Sequence, residues 1–137
     1  MMQVEIWSDV VCPWCYIGKR RFEAALARFE HRDEVDVVWR SFELNPGAPH
    51  SGDMQGSYAE RLARKYGMSV AQAEQRLDHM TQMAAAEGLD FHFELARGGN
   101  TFDAHRLLHL ALARGLQDAL KERFDRATFS ELSLIHI

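Results

Sequence analysis

The stretch VVCPWCYIGK, residues 10–19, holds both cysteines of this 137-residue chain. Cys12 and Cys15 are three positions apart and follow a short apolar run. The residues just upstream alternate between apolar and polar side chains, which predicts a strand. Pro13 suits the first position of a helix, where its missing N–H costs nothing, and the apolar spacing continues the helix to Phe29. The two cysteines are therefore predicted at the junction of a strand and a helix.

A second strand is predicted over EVDVVWRSFEL, residues 34–44, because the segment is rich in β-branched and aromatic residues. Together with the first strand and the helix it makes a β-α-β unit over residues 3–44. Two strands joined by a crossover helix are parallel, so we expect a parallel pair. The loop at 45–53 ends this N-terminal part, which we place at residues 1–53.

Residues 54–131 carry a helical pattern nearly throughout, so we predict a helical subdomain there. Ser69 and Gln72 have the spacing of a capping box at the start of one helix. Asn100 is a candidate cap for a later helix. The predicted inward positions of three of these helices are Tyr58, Leu62 and Tyr66 in the first, Val70, Ala73, Leu77, Met80 and Ala84 in the second, and Leu120, Phe124 and Ala127 in the last.

The overall composition excludes several classes of protein. The net charge is −4 with acidic and basic residues interleaved, which argues against a nucleic-acid partner. No apolar run approaches the roughly 20 residues of a membrane span. The N-terminus lacks the basic segment of a secretory signal, so we expect a cytoplasmic protein with no membrane partner. In a reducing compartment, a C-x-x-C pair is more often catalytic or metal-binding than a structural disulfide.

A helix N-terminus gives the cysteine pair its expected chemistry. First-turn amides lack intrahelical partners and the helix dipole is positive there, so both favour a thiolate. Such sites lower a cysteine pKa from roughly 8.5 to about 3.5–7.5. We expect Cys12 to be the ionised nucleophile, and Cys15, one turn inside the helix and less exposed, to resolve the mixed disulfide. Pro13 and Trp14 would modulate the geometry of the pair and its redox properties.

Two other interpretations of the pair stay open at this point. The cysteines could be inert structural thiols. They could also bind zinc, but a structural zinc site needs four ligands and there is no second cysteine pair. His105 and His109, one helical turn apart, could complete such a site, although ordinary hydrogen bonding explains them as well. On the redox interpretation we expect neither a metal nor a bound cofactor.

Three motifs resemble one family. SDVVCPWCYIGKRRFE (8–23), SFELNP (41–46) and NTFDAHRLLHLA (100–111) are similar to segments of the FrnE-like branch of the DsbA-type thiol–disulfide oxidoreductases, in the thioredoxin superfamily. The related 2-hydroxychromene-2-carboxylate isomerases and kappa glutathione transferases also resemble these segments. The resemblance implies an α/β, thioredoxin-like fold with an inserted helical subdomain.

The resemblance also implies a function and further site residues. The isomerase and transferase relatives usually carry serine where this chain has Cys12, which favours disulfide exchange with a protein or small-thiol substrate. Glutathione-dependent isomerisation or transfer is the alternative, with glutathione as co-substrate. Asn45, Asn100 and Thr101 match positions near the active-site cleft, where they would contact substrate or glutathione. His105 lies in the matched AHR segment. A homodimer is a further candidate assembly.

The C-terminal end departs from the family pattern. The relatives continue into the second half of the thioredoxin core, including a cis-proline loop opposite the cysteines. LSLIHI, residues 132–137, breaks the pattern and resembles the translation of a transposon-based sequencing adapter. We therefore expect a C-terminally truncated chain with a non-native tail at 132–137. A two-stranded sheet has many unpaired edges, so we expect the chain as written to be unstable, to aggregate or to need a partner.

Overall fold

The computed structural model describes residues 1–50 and 54–131, so the predicted tail lies outside the described residues. The structure is a mixed α/β fold that begins with β-α-β and continues with helices, as the sequence predicts. In chain order, its elements are β1 (Met2–Ser8), α1 (Pro13–Ala27), a 3-10 turn (Arg32–Glu34), β2 (Val35–Ser41), α2 (Tyr58–Tyr66), α3 (Val70–Ala86), α4 (Phe102–Leu112) and α5 (Gln117–Phe129).

The two strands pair in parallel, which confirms the predicted pairing. The register sets Ile6 opposite Trp39 and Ser8 opposite Ser41, and the Phe42 N–H continues the ladder by donating to the Ser8 carbonyl at 3.1 Å. The carboxyl ends of both strands therefore meet at one edge of the sheet. The cysteine segment leaves β1 at this edge.

On the edge of β2 that faces away from β1, the Gln117 side chain satisfies backbone groups of Trp39. The amide of Gln117, at the start of α5, accepts from the Trp39 N–H and donates to the Trp39 carbonyl, both at 3.0 Å. It also donates to the Leu108 carbonyl at 3.3 Å. Gln117 is buried, so these bonds satisfy backbone groups that water would not reach.

We expect Gln117→Leu to lower the free energy of unfolding by about 2–3 kcal/mol, because it leaves the Trp39 amide and carbonyl buried without partners. Urea unfolding followed by circular dichroism measures this. Gln82→Leu, at an exposed position of α3, is the matched control and should change stability by no more than about 0.5 kcal/mol. Equal effects of the two substitutions would contradict the role of Gln117.

The helix starts follow local sequence signals. Ser69 and Gln72 form the predicted capping box before α3, and Ser57 with Glu60 forms a second one before α2 that the sequence analysis did not predict. Gly67 ends α2 in the left-handed region, with φ of 65°. Within the described residues, the model contains no helix with the length and apolar character needed to cross a membrane.

Several predicted inward positions are wrong. Tyr66 is 57% exposed and Val70 is 43% exposed, whereas the buried residues of α2 are alanines and the other four predicted positions of α3 are buried. The predicted end of α1 at Phe29 is also wrong: the helix ends at Ala27, and Phe29 is 42% exposed. The residues that α1 buries are Pro13, Tyr16, Ile17 and Lys19. Periodicity located these helices but not the rotation of every face.

Helix α5 buries a polar stripe. Leu120 and Phe124 are partly buried, as predicted, and pack against Val10 and α4. The more deeply buried positions of α5 are Gln117, Lys121, Asp125, Thr128 and Phe129. Residues spaced by four lie on one helix face. The α5 face towards α1 and β2 is therefore largely polar, and each of its charged groups needs a partner.

An aromatic cluster joins α1, the 89–99 segment and α5. Phe91 stacks on Tyr16 with ring centroids 5.9 Å apart and on Phe129 at 5.1 Å. Phe93 meets Phe91 edge-on at 5.6 Å. These four rings are buried together with residues of α2 and α3. They fix α1, and with it the cysteine pair, against the helical part of the chain.

Candidate functional site

Cys12 occupies the N-cap position of α1. Its backbone is extended, with φ of −104° and ψ of 112°, and its Sγ accepts the Cys15 backbone N–H at 3.3 Å. Its carbonyl accepts from Cys15 and Tyr16 at 3.1 and 3.4 Å. Pro13 follows at the first helical position, as predicted. The sulfur of Cys12 thus lies at the positive end of the helix.

The two cysteines are free thiols, and a hydrogen bond between their sulfurs couples them. This bond lowers the pKa of Cys15 to about 6, and it raises the pKa of Cys12. The lowered pKa thus falls on Cys15, whereas we expected it at Cys12, and the nucleophilic role of Cys12 stays a prediction. Both residues are half-buried, so exposure does not distinguish their roles as we expected. The two sulfurs together hold one stabilised negative charge.

Three further groups favour a negative charge on Cys15. After the bond from Cys12, and against the opposing effect of burial, the backbone amide of Asp9 and the hydroxyl of Ser8 donate to its sulfur and lower its pKa. The ammonium of Lys121 contributes through space. The end of β1 and helix α5 thus both stabilise the thiolate.

Asp9 connects the cysteine segment to the rest of the fold. Its Oδ1 accepts the Val10 N–H at 2.8 Å and His105 Nε2 at 3.0 Å, and its Oδ2 accepts the Leu44 N–H at 2.9 Å. Burial would raise the pKa of Asp9, but the bonds from His105, Leu44 and Thr101 hold it below its usual value. Asp9 is therefore a buried carboxylate fixed by donors from the loop after β2 and from the start of α4.

Helix α2 brings Tyr58 near the site. Burial is the main cause that raises the pKa of Tyr58 to about 12. Its ring packs on Phe93 at 4.9 Å, and the Arg61 guanidinium lies 5.3 Å from the ring centroid. The cysteine pair thus faces a neutral phenol from the helical part of the chain.

A buried ion pair lies on the α5 side of the cysteines. Lys121 Nζ bonds both carboxylate oxygens of Asp125, at 2.9 and 2.8 Å, and both residues are buried. Burial raises the pKa of Asp125 to about 7, and the charge of Lys121 offsets this only in part. Lys121 and Lys19 approach the Trp39 ring, at 5.3 and 5.9 Å from its centroid. Lys121 is the positive charge in this group that lowers the pKa of Cys15.

Glu122 links α5 to α1. It accepts from the Tyr16 hydroxyl at 2.9 Å, Lys19 Nζ at 3.1 Å and Arg20 Nη1 at 3.0 Å. Burial opposes ionisation, but the bonds from Arg20, Tyr16 and Lys19 lower the pKa of Glu122 to about 2. The helix that carries the cysteines is thus held by a carboxylate that stays ionised well into the acid range.

This shift predicts how stability depends on pH. The folded pKa of Glu122, about 2, is lower than its ordinary value of 4.5, so its contribution is complete above pH 4.5 and is lost as the pH falls towards 2. We expect Glu122→Gln to remove on the order of 2 kcal/mol of this acid-dependent stability. Urea unfolding at pH 6 and pH 3 tests this, with Glu87→Gln, in an ion pair with Arg21, as the control. An unchanged pH dependence in Glu122→Gln would contradict the assignment.

The other predicted site residues lie in different surroundings. Trp14 is 47% exposed beside the cysteines, Pro13 is buried and Asn45 is exposed in the loop after β2. Thr101 is buried against Asp9. Only the first two are in the cysteine segment itself. Contact of Asn45 or Thr101 with a substrate stays a prediction.

Asn100 joins the loop after β2 to the start of α4. Its amide nitrogen donates to the carbonyls of Pro46 and Ala48, both at 3.1 Å, and its oxygen accepts the Phe102 N–H at 2.9 Å. The predicted cap by Asn100 is wrong: Thr101 is the N-cap residue of α4, and its side chain makes no capping bond. Asn100 therefore has a structural role, and its contact with a substrate also stays a prediction.

The two histidines of α4 have separate partners. His105 bonds Asp9, whereas His109 Nε2 lies 2.8 Å from the Ser41 hydroxyl. A cleft of about 310 Å³ beside them is lined by Ser41, Glu43, Phe102, His105, Arg106 and His109. Neither cysteine lines this cleft. Within residues 1–50 and 54–131, no three histidine, cysteine or acidic side chains are grouped so as to hold a metal ion.

Sequence reasoning missed Asp9, Lys121 and Asp125. Asp9 lies in the matched motif, directly after β1, but its partner His105 is 96 positions away. Lys121 and Asp125 have the i, i+4 spacing of an ordinary surface pair, and lysine is rarely buried. The apolar residues of α5 were the signal available in the sequence, and they indicated a buried face through Leu120 and Phe124 rather than through Lys121 and Asp125.

Comparison with known proteins agrees with this geometry. The DSBA-like thioredoxin domain family matches residues 3–135. The crystal structure of the probable DsbA oxidoreductase SCO1869 from Streptomyces coelicolor is similar, with a TM-score of 0.88 and 51% sequence identity. The match covers 96% of this chain and 55% of that one. The uncharacterised protein YwbO of Bacillus subtilis is 30% identical over 78 residues, which are 50% of this chain and 37% of that protein.

This chain therefore spans about half of the Streptomyces protein and about a third of the Bacillus protein. The family match, in contrast, extends over nearly the whole chain, and it includes the strand, the cysteine pair and the helices described above. The chain belongs to the family of DSBA-like thioredoxin domains.

Proposed function

We propose that this chain is part of a thiol–disulfide oxidoreductase in which Cys12 is the nucleophile and Cys15 resolves the mixed disulfide. The observation that carries the proposal is the position of Cys12 at the N-cap of α1, where its Sγ accepts the Cys15 backbone N–H at 3.3 Å. A thiolate near neutral pH is the species that attacks disulfides. The similarity to the probable DsbA oxidoreductase of Streptomyces supports this chemistry.

The proposed reaction has two exchanges. Cys12 attacks one sulfur of a substrate disulfide while its proton passes to the Cys15 sulfur, and the other substrate sulfur leaves as a thiolate. The Cys15 proton then goes to solvent or to the leaving thiolate. Cys15 attacks the Cys12 sulfur, a Cys12–Cys15 disulfide forms, and the second substrate thiolate is released. The substrate gains two electrons, the pair loses two, and the reverse sequence oxidises a dithiol.

The lowered pKa of Cys15 fits the second exchange. A thiol with a pKa near the ambient pH combines a high thiolate fraction with good nucleophilicity. In the mixed disulfide Cys12 no longer has a proton to donate, and the Asp9 amide, the Ser8 hydroxyl and Lys121 are the groups that still favour the Cys15 thiolate. The N-cap position of Cys12, ahead of the helix, leaves its sulfur in line for the first attack.

Substrate contacts complete the proposal. The exposed ring of Trp14 would contact the substrate, and Pro13 would modulate the potential by fixing the first turn. Asn45, Asn100 and Thr101 would contact a protein or small thiol, with glutathione as the small-thiol co-substrate. We place the protein in the FrnE-like branch because of the motifs at 8–23, 41–46 and 100–111, and in the cytoplasm, where a C-x-x-C pair is more often reactive than structural.

Disulfide reduction tests the function directly. We expect the reduced chain to accelerate reduction of insulin by dithiothreitol and to form a Cys12–Cys15 disulfide in oxidised glutathione, detected by peptide mass. The chain with both cysteines alkylated is the control. A failure to exceed that control, together with glutathione-dependent turnover of an aromatic substrate that survives loss of Cys15, would replace the proposal with the isomerase alternative.

A further inference from the structure

The Asp9 carboxylate accepts hydrogen bonds from both backbone and side-chain donors. Val10 and Leu44 donate from the backbone, at 2.8 and 2.9 Å, and His105 and Thr101 donate from side chains. Asp9 is 1% exposed, so no water competes for these bonds. The carboxylate is therefore fixed from two directions: its own segment and loop on one side, and α4 on the other.

His105 is the donor that comes from farthest along the chain. An ionised carboxylate only accepts hydrogen bonds, so Nε2 carries the hydrogen in the 3.0 Å contact with Asp9 Oδ1. His105 is 5% exposed, and its Nδ1 is buried with no hydrogen-bond partner in the part of the chain that the structure describes. The bond to Asp9 is thus the polar contact that orients this ring.

The backbone of Asp9 acts on the cysteine pair. Its backbone amide lowers the pKa of Cys15, while its side chain is held by α4 and by the loop after β2. Contacts that fix the side chain also restrict the positions that the Asp9 backbone can adopt. The direction of this N–H therefore depends on the contacts of the carboxylate.

We infer that His105 is a positioning residue for the redox pair: it holds the Asp9 carboxylate so that the Asp9 amide points at the Cys15 sulfur. The inference rests on the proposed function. An N–H bonds a thiolate more strongly than it bonds a disulfide sulfur, because a charged acceptor makes the stronger hydrogen bond. The contact therefore stabilises the reduced pair, as in strongly oxidising disulfide proteins whose reduced form is stabilised.

His105→Leu should shift the equilibrium towards the Cys12–Cys15 disulfide. We expect the constant for disulfide formation against a glutathione buffer to rise about tenfold, which corresponds to about 30 mV for a two-electron couple. His105→Gln keeps an N–H donor at the position of Nε2 and should stay within about twofold of the unsubstituted chain. His109→Gln, on the same helix with Ser41 as its partner, is the matched control and should show no shift.

The readouts separate a positioning role from a merely structural one. Urea unfolding of each variant reports stability, whereas the redox constant reports the sulfur environment. If His105→Leu is folded and its redox constant is within twofold of the unsubstituted chain, the inference is wrong, whatever its stability. It is equally wrong if His105→Gln shifts as far as His105→Leu.

If His105→Leu does not fold, the constant for disulfide formation is measured in Thr101→Val instead. This variant removes a second donor to Asp9 at nearly constant volume, and a shift of the same sign supports the inference, while no shift overturns it. The unsubstituted chain separates this inference from the proposed function. If it forms no Cys12–Cys15 disulfide in any glutathione buffer, the function fails; if it does and the variants match it, only the positioning role fails.

Discussion

Replacing Cys12 by serine should reduce disulfide exchange to the level measured without protein, whereas replacing Cys15 by serine should trap the chain on its substrate. Without Cys12 there is no N-cap sulfur to attack, and serine at this position is not nucleophilic enough to replace it. Without Cys15 the first exchange still occurs, but no second thiolate is present to release the mixed disulfide. The two variants therefore fail at different steps.

Non-reducing electrophoresis and peptide mass measure this difference. After incubation with an oxidised model peptide, Cys15→Ser should carry one peptide per chain on Cys12, while Cys12→Ser should carry little. Ser130→Ala, outside the site, is a control that should keep full activity. Accumulation of the peptide on Cys15 in the Cys12→Ser chain, with none on Cys12 in Cys15→Ser, would reverse the proposed roles.

Removing one member of the buried Lys121–Asp125 pair should cost the most stability. Asp125→Ala leaves the Lys121 ammonium buried with no carboxylate at its 2.8–2.9 Å contacts. Breaking a buried ion pair from one side costs about 3–5 kcal/mol. The double variant Lys121→Met/Asp125→Ala removes both charges, so we expect it to recover most of this loss.

Urea unfolding at pH 7 measures the free energy of unfolding of the unsubstituted chain, Asp125→Ala and the double variant. Glu131→Ala is the surface control, because its ion pair with Arg123 at 2.7 Å is exposed and should contribute no more than about 1 kcal/mol. The redox site gives an independent readout, since Lys121→Met should also raise the pKa of Cys15 by removing a nearby positive charge. If the double variant is as unstable as Asp125→Ala, the lost side-chain volume at position 125, and not the unpaired charge of Lys121, causes the loss of stability, and the prediction is wrong.

The elements of the fold were predictable because their signals are local. The strand alternation before the cysteines, Pro13 at a helix start and the Ser69–Gln72 capping box each lie within a few residues, and the structure contains all three. The parallel pairing followed from the crossover geometry. The position of Cys12 at the N-cap of α1 followed from the same local reasoning.

The surroundings of the cysteines were not predictable because they depend on distant partners. His105 reaches Asp9 across 96 positions, and Gln117 reaches Trp39 across 78. Lys121 has the sequence spacing of a surface residue, yet it is 1% exposed because Asp125 and the Trp39 ring accompany it into the interior. Periodicity ranks residues by hydrophobicity, so it assigns a paired buried charge to the wrong face.

The distribution of charge between the two sulfurs was also beyond the sequence. From the helix N-terminus we predicted the thiolate at Cys12, whereas the lowered pKa falls on Cys15. The Ser8 hydroxyl, the Asp9 amide and Lys121 all act on Cys15, and none of these contacts follows from the C-x-x-C spacing. The tertiary structure therefore decides the charge distribution that the motif leaves open.

Alkylation of the reduced chain as a function of pH tests the central claim most directly. Iodoacetamide labelling with peptide mass resolves Cys12 from Cys15 and reports the thiolate fraction at each sulfur. The coupled pair should lose its first proton with an apparent pKa of about 6, so labelling should already be near its plateau at pH 7.5. If both cysteines instead gain reactivity together near the ordinary value of 9.0, the pair holds no stabilised thiolate and the account is wrong.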